Sequence, residues 1–326
     1  MPDEINIVFT SHRVEFLPSM TKFMEQSDLI ILEEAPNNGF VKMLKREISI
    51  EEYLEDEIFE FPKFSYSFYK ILQDLYTKEK VILQIEPYME RLLKIYDMFS
   101  EGKKPEDIEA IPELNEVYEI EKRATKELID FYEASISKSF IEIIEIVKRF
   151  ARADAQRFRL RDKLRAHAII SLLPKKGKVF IEAGAIHQYL SKVLSKKLTD
   201  CCKVNKVFSL EDKVKELTNK RWLFPPGDIL TLRYIFEKKE NEEVENLLSA
   251  RSLIYIMLIE KEEILPDEQN KFPHLLDEIE VVNLVNKLSF NDCEMLYRKI
   301  RFKNKDKARE IVSNFVLSKQ QPAKHG

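Results

Sequence analysis

Glycine is scarce in this chain, with 6 among 326 residues. Inside a strand or helix a glycine costs roughly 1 kcal/mol relative to alanine, so each one asks for a backbone reason. The stretch VFIEAGAIHQYL, Val179 to Leu190, places Gly184 just after an apolar run and three residues before His187, one of only 5 histidines. The spacing predicts a turn at Gly184, needing positive φ or a close approach by a ligand, that lifts His187 off a strand end. Cysteine is scarcer still, with 3. Cys201 and Cys202 are adjacent and Cys293 is distant, which excludes a disulfide framework and a CxxC zinc pattern and points to a reduced, cytoplasmic setting. No segment approaches the roughly 18 uninterrupted apolar residues of a membrane span. The opening MPDEINIVFTSH carries acids where a signal peptide would carry Lys or Arg. A net charge of -4 gives no bulk attraction to nucleic acid or anionic membrane.

What is present is a densely charged, well-cored chain: 44% hydrophobic and 34% charged residues, as in globular proteins. Its length suits one large α/β domain with an appendage, or two domains. Short runs rich in β-branched residues predict strands at Ile5–Thr10 (INIVFT), Asp28–Leu32 (DLIIL), Val81–Ile85 (VILQI) and Val179–Ile181 (VFI), with a fifth at Lys206–Leu210 (KVFSL). Amphipathic stretches between them predict helices flanking a mostly parallel sheet. From Glu113 to Leu173 there is no proline or glycine. That tract reads as two long helices or one broken near Ala151–Ala155, with Leu128, Tyr132, Ile136, Phe140, Ile143, Val147 and Phe150 on one buried face. The expected division is an α/β core over 1–210 with a helical insertion near 95–173, then a mainly helical region over 211–326. In that region Asp228 is placed as a helix N-cap after the turn at Pro225–Gly227, and helices are expected near Ile229–Lys239, Glu242–Glu260, His274–Leu288 and Asn291–Arg301. The tail QQPAKHG is expected to fray, so His325 is set aside.

Ligands of parallel α/β sheets bind beyond the carboxyl ends of the strands, so the residues following each strand carry the functional information. Those are Ser11–His12, Glu33–Glu34, Glu86, and Glu182 with Gly184 and His187. Two imidazoles and several carboxylates around one crevice could hold a divalent metal in an open three-ligand site or perform acid–base chemistry without one. Simpler readings stand beside these. His12 could cap a strand edge, Glu33 and Glu34 could be turn residues, and Glu86 before Pro87 reads as a helix start. His167 is expected to be packed mid-helix, and His274 to begin a helix. Arg157, Arg161 and Arg165, four apart, form one helix face with Arg149 and Arg152 upstream. The default for that stripe is a solvated, salt-bridged face with one anion-holding arginine; without interleaved aromatics it disfavours nucleic acid.

Two blocks, about 60 residues together, resemble the TraB/Tiki/erythromycin-esterase/ChaN-like superfamily, most closely its TraB-like members. The first is VFTSHRVEFLPSMTKFMEQSDLIILEE, where the family has Gly-Thr-x-His and, about twenty residues on, a strand ending in Glu. The second is RLRDKLRAHAIISLLPKKGKVFIEAGAIH, where the family has Arg-Asp/Asn, a helix, a strand and Gly-x-x-His. Phe9 stands where the family has its first glycine, and Leu160 where an acid often precedes the Arg. Superfamily members include metal-dependent proteases, macrolide esterases and a haem-binding lipoprotein. The resemblance implies two βα halves bringing His12 and Glu33 together with Arg161 and His187 in one cleft, with Gly184 supporting. It also implies a hydrolase of an ester or amide in a small-molecule or peptide substrate. His12, Glu33 and His187 would be ligands of a divalent metal, or acid–base groups, and Arg161 would orient an anionic or carbonyl group. The alternative is a non-catalytic binding or signalling protein that keeps the fold and uses the long helices as a partner or homo-oligomer surface.

Overall fold

The computed structural model describes residues 1–55, 61–199 and 201–320; His325 and the tail beyond 320 lie outside them. Its centre is a five-stranded, all-parallel sheet in the order β3-β2-β4-β1-β5. The strands are β1 (Glu4–Thr10), β2 (Leu29–Leu32), β3 (Val81–Gln84), β4 (Lys178–Gly184) and β5 (Lys203–Phe208). The last begins three residues earlier than its apolar run suggests, because Lys203 to Phe208 pair in register with Glu4 to Phe9. The three inner strands are buried on both faces, while the edge strands β3 and β5 are only partly covered, the pattern expected of a parallel sheet. Helices α1 (Leu17–Glu25), α2 (Phe40–Leu44), α3 (Ile50–Glu55) and α4 (Pro62–Thr77) pack one face through a core that includes Met20, Met24, Phe40, Phe64, Phe68 and Leu72.

The described chain continues with α5 (Pro87–Ser100), α6 (Pro105–Glu109), α7 (Pro112–Ser137), α8 (Phe140–Leu172), α9 (Gln188–Leu198) and α10 (Glu211–Thr218). It closes with α11 (Pro226–Ile235), α12 (Glu242–Leu258), α13 (Pro273–Asn286), α14 (Phe290–Ile300) and α15 (Lys305–Gln320). None of these helices is long and apolar enough to cross a membrane.

Two compact units result: Met1–Arg123 with Gln156–Trp222, which holds the sheet, and Ala124–Ala155 with Leu223–Gly326. Residues 124–155, read from the sequence as part of an insertion into the α/β core, thus belong with the C-terminal helices. Their apolar side chains explain why: Ala134, Phe140, Ile143, Ile144, Val147 and Ala151 share one core with Leu253, Ile254, Val285 and Tyr297. The break in the long helical tract falls at Lys138–Ser139, not at Ala151–Ala155, which stays helical. Ser139 sets that break: its backbone N–H donates to Glu142 Oε2 at 3.0 Å, and Glu142's N–H donates to Ser139 Oγ at 3.4 Å, a capping exchange that starts a new helix. The expected single face is interrupted there, so Tyr132 and Ile136 are 60% and 71% exposed while Ala134 turns inward. Asp228 lies in the first turn of α11, whose N-cap is Pro225, and is not itself the cap.

Candidate functional site

Alternation along the strands builds the site. Val8, Ile30, Leu32, Ile82 and Phe180 all face the core under α1, α2 and α4. Successive side chains in a strand point to opposite faces, so two-residue steps carry that same face on to His12, Glu34, Gln84 and Glu182. All four line a cavity of ≈ 320 Å³, within the size range of small-molecule sites. The remaining wall comes from Glu33, Ala35, Pro36 and Asn37 after β2, Tyr53 on α3, Phe64, Ser65, Phe68 and Tyr69 on α4, and Met89 and Leu93 on α5.

His12 stands at this cavity with its side chain 55% exposed and its Nε2 3.5 Å from Oε1 of the buried Glu182. Its ring stacks on Phe64, with centroids 5.1 Å apart and planes 17° apart. Desolvation lowers the imidazole's pKa, but the Glu182 contact and the charges of Glu33 and Glu34 outweigh it and leave a net rise. Glu34 accepts from the Tyr69 hydroxyl at 2.9 Å and from Gln84 Nε2 at 2.8 Å. Both bonds favour its carboxylate, yet burial and then the neighbouring charge of Glu182 push its pKa up to about 7. Burial and Glu34 in turn keep the Tyr69 hydroxyl protonated, with its pKa raised.

Glu33 is next in sequence to Glu34 and turns its carboxylate the other way. Its Oε1 lies 2.8 Å from His187 Nε2 and 3.4 Å from Arg161 Nη2; its Oε2 lies 3.5 Å from Arg165 Nη1 and accepts from the Gly184 N–H at 2.7 Å. Burial alone would raise the Glu33 pKa, but His187 and the two guanidinium groups hold it well below the usual carboxylate range. The second nitrogen of His187, Nδ1, lies 2.5 Å from Asp162 Oδ1, and Asp162 Oδ2 also accepts from the Leu190 N–H at 2.7 Å. Burial lowers the His187 pKa, whereas Glu33 and Asp162 raise it further, to about 9. At neutral pH His187 is therefore an imidazolium donating from both ring nitrogens. The Glu33 backbone N–H donates to Glu182 Oε2 at 3.2 Å, so the ion network fixes the carboxylate that faces His12.

His12 and Glu33 with Glu34 therefore meet at one cavity, whereas His187 and Arg161 lie behind it as partners of Glu33. Glu86 is fully enclosed, 3.5 Å from Arg161 Nη2 and 4.0 Å from Arg165 Nε. It does start α5, as its N-cap, but contributes a buried charge as well. Gly184 has no positive φ, and a Cβ there would meet His187 Cδ2 at 3.5 Å and Glu33 Oε2 at 3.8 Å, both ordinary contacts. The turn it opens is real, since the His187 N–H donates to the Gly184 carbonyl at 3.0 Å. What the position supplies is a strand-end N–H for Glu33, not a glycine-only conformation.

The arginine stripe is not a solvated face: Arg165 is wholly buried and donates from Nε to the Ile85 carbonyl at 2.9 Å. Arg149, Arg152 and Arg157 pair with Glu127, Glu245 and Glu121. His167 is exposed, since it lies on the outer side of α8. His274 is buried at the start of α13 and accepts from the Ile264 N–H at 2.8 Å.

Asp162, Tyr69, Gln84 and the aromatic wall escape a reading of strand ends. Asp162 sits beside Arg161 in the Arg-Asp pair, and the run FPKFSYSFYK concentrates aromatics before β3; both are signals that could have flagged them. The residues expected to share a metal do not form a ligand set. Both His187 nitrogens are held by carboxylates, Glu33 lies within reach of two guanidinium groups, and among the described residues no group of three His, Cys, Asp or Glu side chains is arranged to hold a metal ion.

Compared with known proteins, the chain matches no family model and no solved structure. It is 32% identical to an uncharacterized protein of Archaeoglobus fulgidus over 293 residues, covering 90% of this chain and 97% of that protein. With nearly the full length of both chains aligned at that identity, this chain belongs to the family of that archaeal protein.

Proposed function

We propose that the chain is a hydrolase of an ester or amide bond, similar in site plan to the TraB/Tiki/erythromycin-esterase group, with His12 and Glu34 as its acid–base pair. One observation carries the reading: an exposed histidine backed by a buried carboxylate shares a ligand-sized cavity with a glutamate whose pKa is pushed up to about 7. Paired groups whose environments move their pKa values toward neutrality are the equipment of acid–base catalysis.

In the proposed reaction a water attacks the substrate carbonyl. His12 Nδ1, which has no hydrogen-bond partner among the described residues, takes the water's proton, while Glu182 on Nε2 orients the ring and stabilises the imidazolium. Glu34, in its protonated form, donates to the leaving alkoxide or amine as the carbon–heteroatom bond breaks. The proton on His12 then returns to Glu34 through solvent, and the acid and alcohol or amine depart. One proton is shared by the pair, so the form with neutral His12 and protonated Glu34 is the competent one, and activity should peak near neutrality. Glu33, His187, Arg161, Arg165 and Asp162 hold Glu182 and the β2 and β4 ends in place. The test is turnover of a panel of alkyl, aryl and aminoalkyl esters and amides. His12→Ala and Glu34→Gln should each lose about 10²–10⁴-fold, the typical contribution of a positioned acid or base. A panel without turnover, or full activity in both variants, would overturn the reading.

A further inference from the structure

The charge inside the cavity is lopsided. Three glutamates line it: Glu33, Glu34 and Glu182. Glu33 already has His187, Arg161 and Arg165 around its carboxylate, which leaves Glu34 and Glu182 facing one histidine, His12. No lysine or arginine is among the described residues lining the space. Apart from the uncharged polar side chains of Asn37, Ser65 and Gln84, the rest of the wall is apolar and aromatic. Tyr53 and Tyr69 meet edge-on at 5.1 Å, Phe64 and Phe68 stack at 5.5 Å, and Phe68 and Tyr69 lie 6.0 Å apart, so the rings form one continuous side. Met89 and Leu93 add further apolar wall.

Each ligand class meets that surface differently. An anion would be repelled by Glu34 and Glu182 in a partly desolvated space where Coulomb energies are larger than in water. A neutral apolar ligand would strip water from those carboxylates and leave nothing in its place. A cation gains the carboxylates and the aromatic π-systems together. We propose that the cavity is a binding site for a ligand with an ammonium group on an apolar body, the cation held by Glu182 together with the ionised form of Glu34, and the body by Phe64, Phe68, Tyr53 and Tyr69. Resting on the hydrolase reading, this names its substrate class: an ester or amide that also carries an amine, held by Glu182 while Glu34 carries its proton.

Titration calorimetry of the whole protein at pH 8, where Glu34 is mostly ionised, with hexylammonium and with hexan-1-ol, equal in length and different in charge, tests the proposal. Hexylammonium should bind the wild type about tenfold or more tightly than the alcohol. Glu34→Gln, nearly isosteric, should reduce that ratio to within about twofold. Leu93→Lys, at a half-exposed position of the wall that accommodates a lysine, should weaken hexylammonium several-fold and spare the alcohol. Equal binding of the two probes, no binding of either, or a ratio unchanged in both variants would overturn the proposal. An ammonium preference without turnover on any ester or amide would leave this site standing and remove the hydrolase reading. Turnover with no charge preference would do the reverse.

Discussion

Replacing Glu34 with glutamine tests the electrostatics of the cavity without any substrate. The Glu34 carboxyl moves from an ordinary value of 4.5 to about 7 in the folded chain. Its folded pKa therefore lies above its unfolded one, and the folded state binds more protons between those two pH values. Stability then falls as pH rises through that window. By linkage the cost is about 0.8 kcal/mol at pH 5 and about 3.3 kcal/mol at pH 8, levelling off above. Glutamine neither binds nor releases a proton there, so it carries none of this slope. It does place its amide nitrogen opposite one of the two present donors, Tyr69 Oη or Gln84 Nε2, a pH-independent penalty of about 1 kcal/mol. The informative quantity is thus the change in the difference between variant and wild type: Glu34→Gln should gain roughly 2.5 kcal/mol on the wild type between pH 5 and pH 8. The chain's single tryptophan, Trp222, belongs to the sheet-bearing unit and stacks on Phe208 at 5.3 Å, so urea unfolding followed by its fluorescence reads the right unit. A difference that stays constant within about 0.5 kcal/mol from pH 5 to pH 8 would show instead that Glu34 titrates normally in the folded chain.

Gly184→Ala should be nearly neutral, within about 1 kcal/mol in the same unfolding assay, because the new Cβ meets ordinary contacts and the N–H bond to Glu33 is kept. A loss of several kcal/mol would mean that the position needs glycine after all. Arg165→Met should cost about 3–5 kcal/mol, because it strips a wholly buried guanidinium from Glu33 and Glu86 and leaves their charges short of a partner. A loss below about 1 kcal/mol would show that water supports those carboxylates without it.

The sheet was legible because buried parallel strands write themselves as short β-branched runs: three of the five fall within a residue of the expected bounds, while β4 runs three residues further and β5 begins three residues earlier. The strand-end rule picked His12, Glu33, Glu34, Glu86, Glu182 and His187, of which His12, Glu33, Glu34 and Glu182 line the cavity. It could not separate the two faces of the sheet. Glu33 and Glu34 are adjacent in sequence and both border the cavity, yet the Glu33 carboxylate is bound into an ion network with His187 while that of Glu34 bonds to Tyr69 and Gln84 in the cavity wall. Arg161 and Arg165 read as part of a surface stripe because four-residue spacing gives a common face without saying which way it points; the carboxylates that bury them come from β2 and α5. Tyr132 and Ile136 carried the right period for a buried face, but Ser139 restarts the helix and leaves them outside. The aromatic wall comes from α3 and α4, where no strand-end argument looks.

In the proposed reaction His12 is the group that takes water's proton. Its side chain is half exposed at the cavity, so imidazole added to solution can reach the space left by truncation. The direct measurement is kcat/KM of His12→Ala on an ester that the wild type hydrolyses, with and without added imidazole. The kcat/KM should drop about 10²–10⁴-fold and imidazole should partly restore it, with little restoration in Glu34→Gln. A His12→Ala protein that turns over substrate at the wild-type rate would rule out that role for His12.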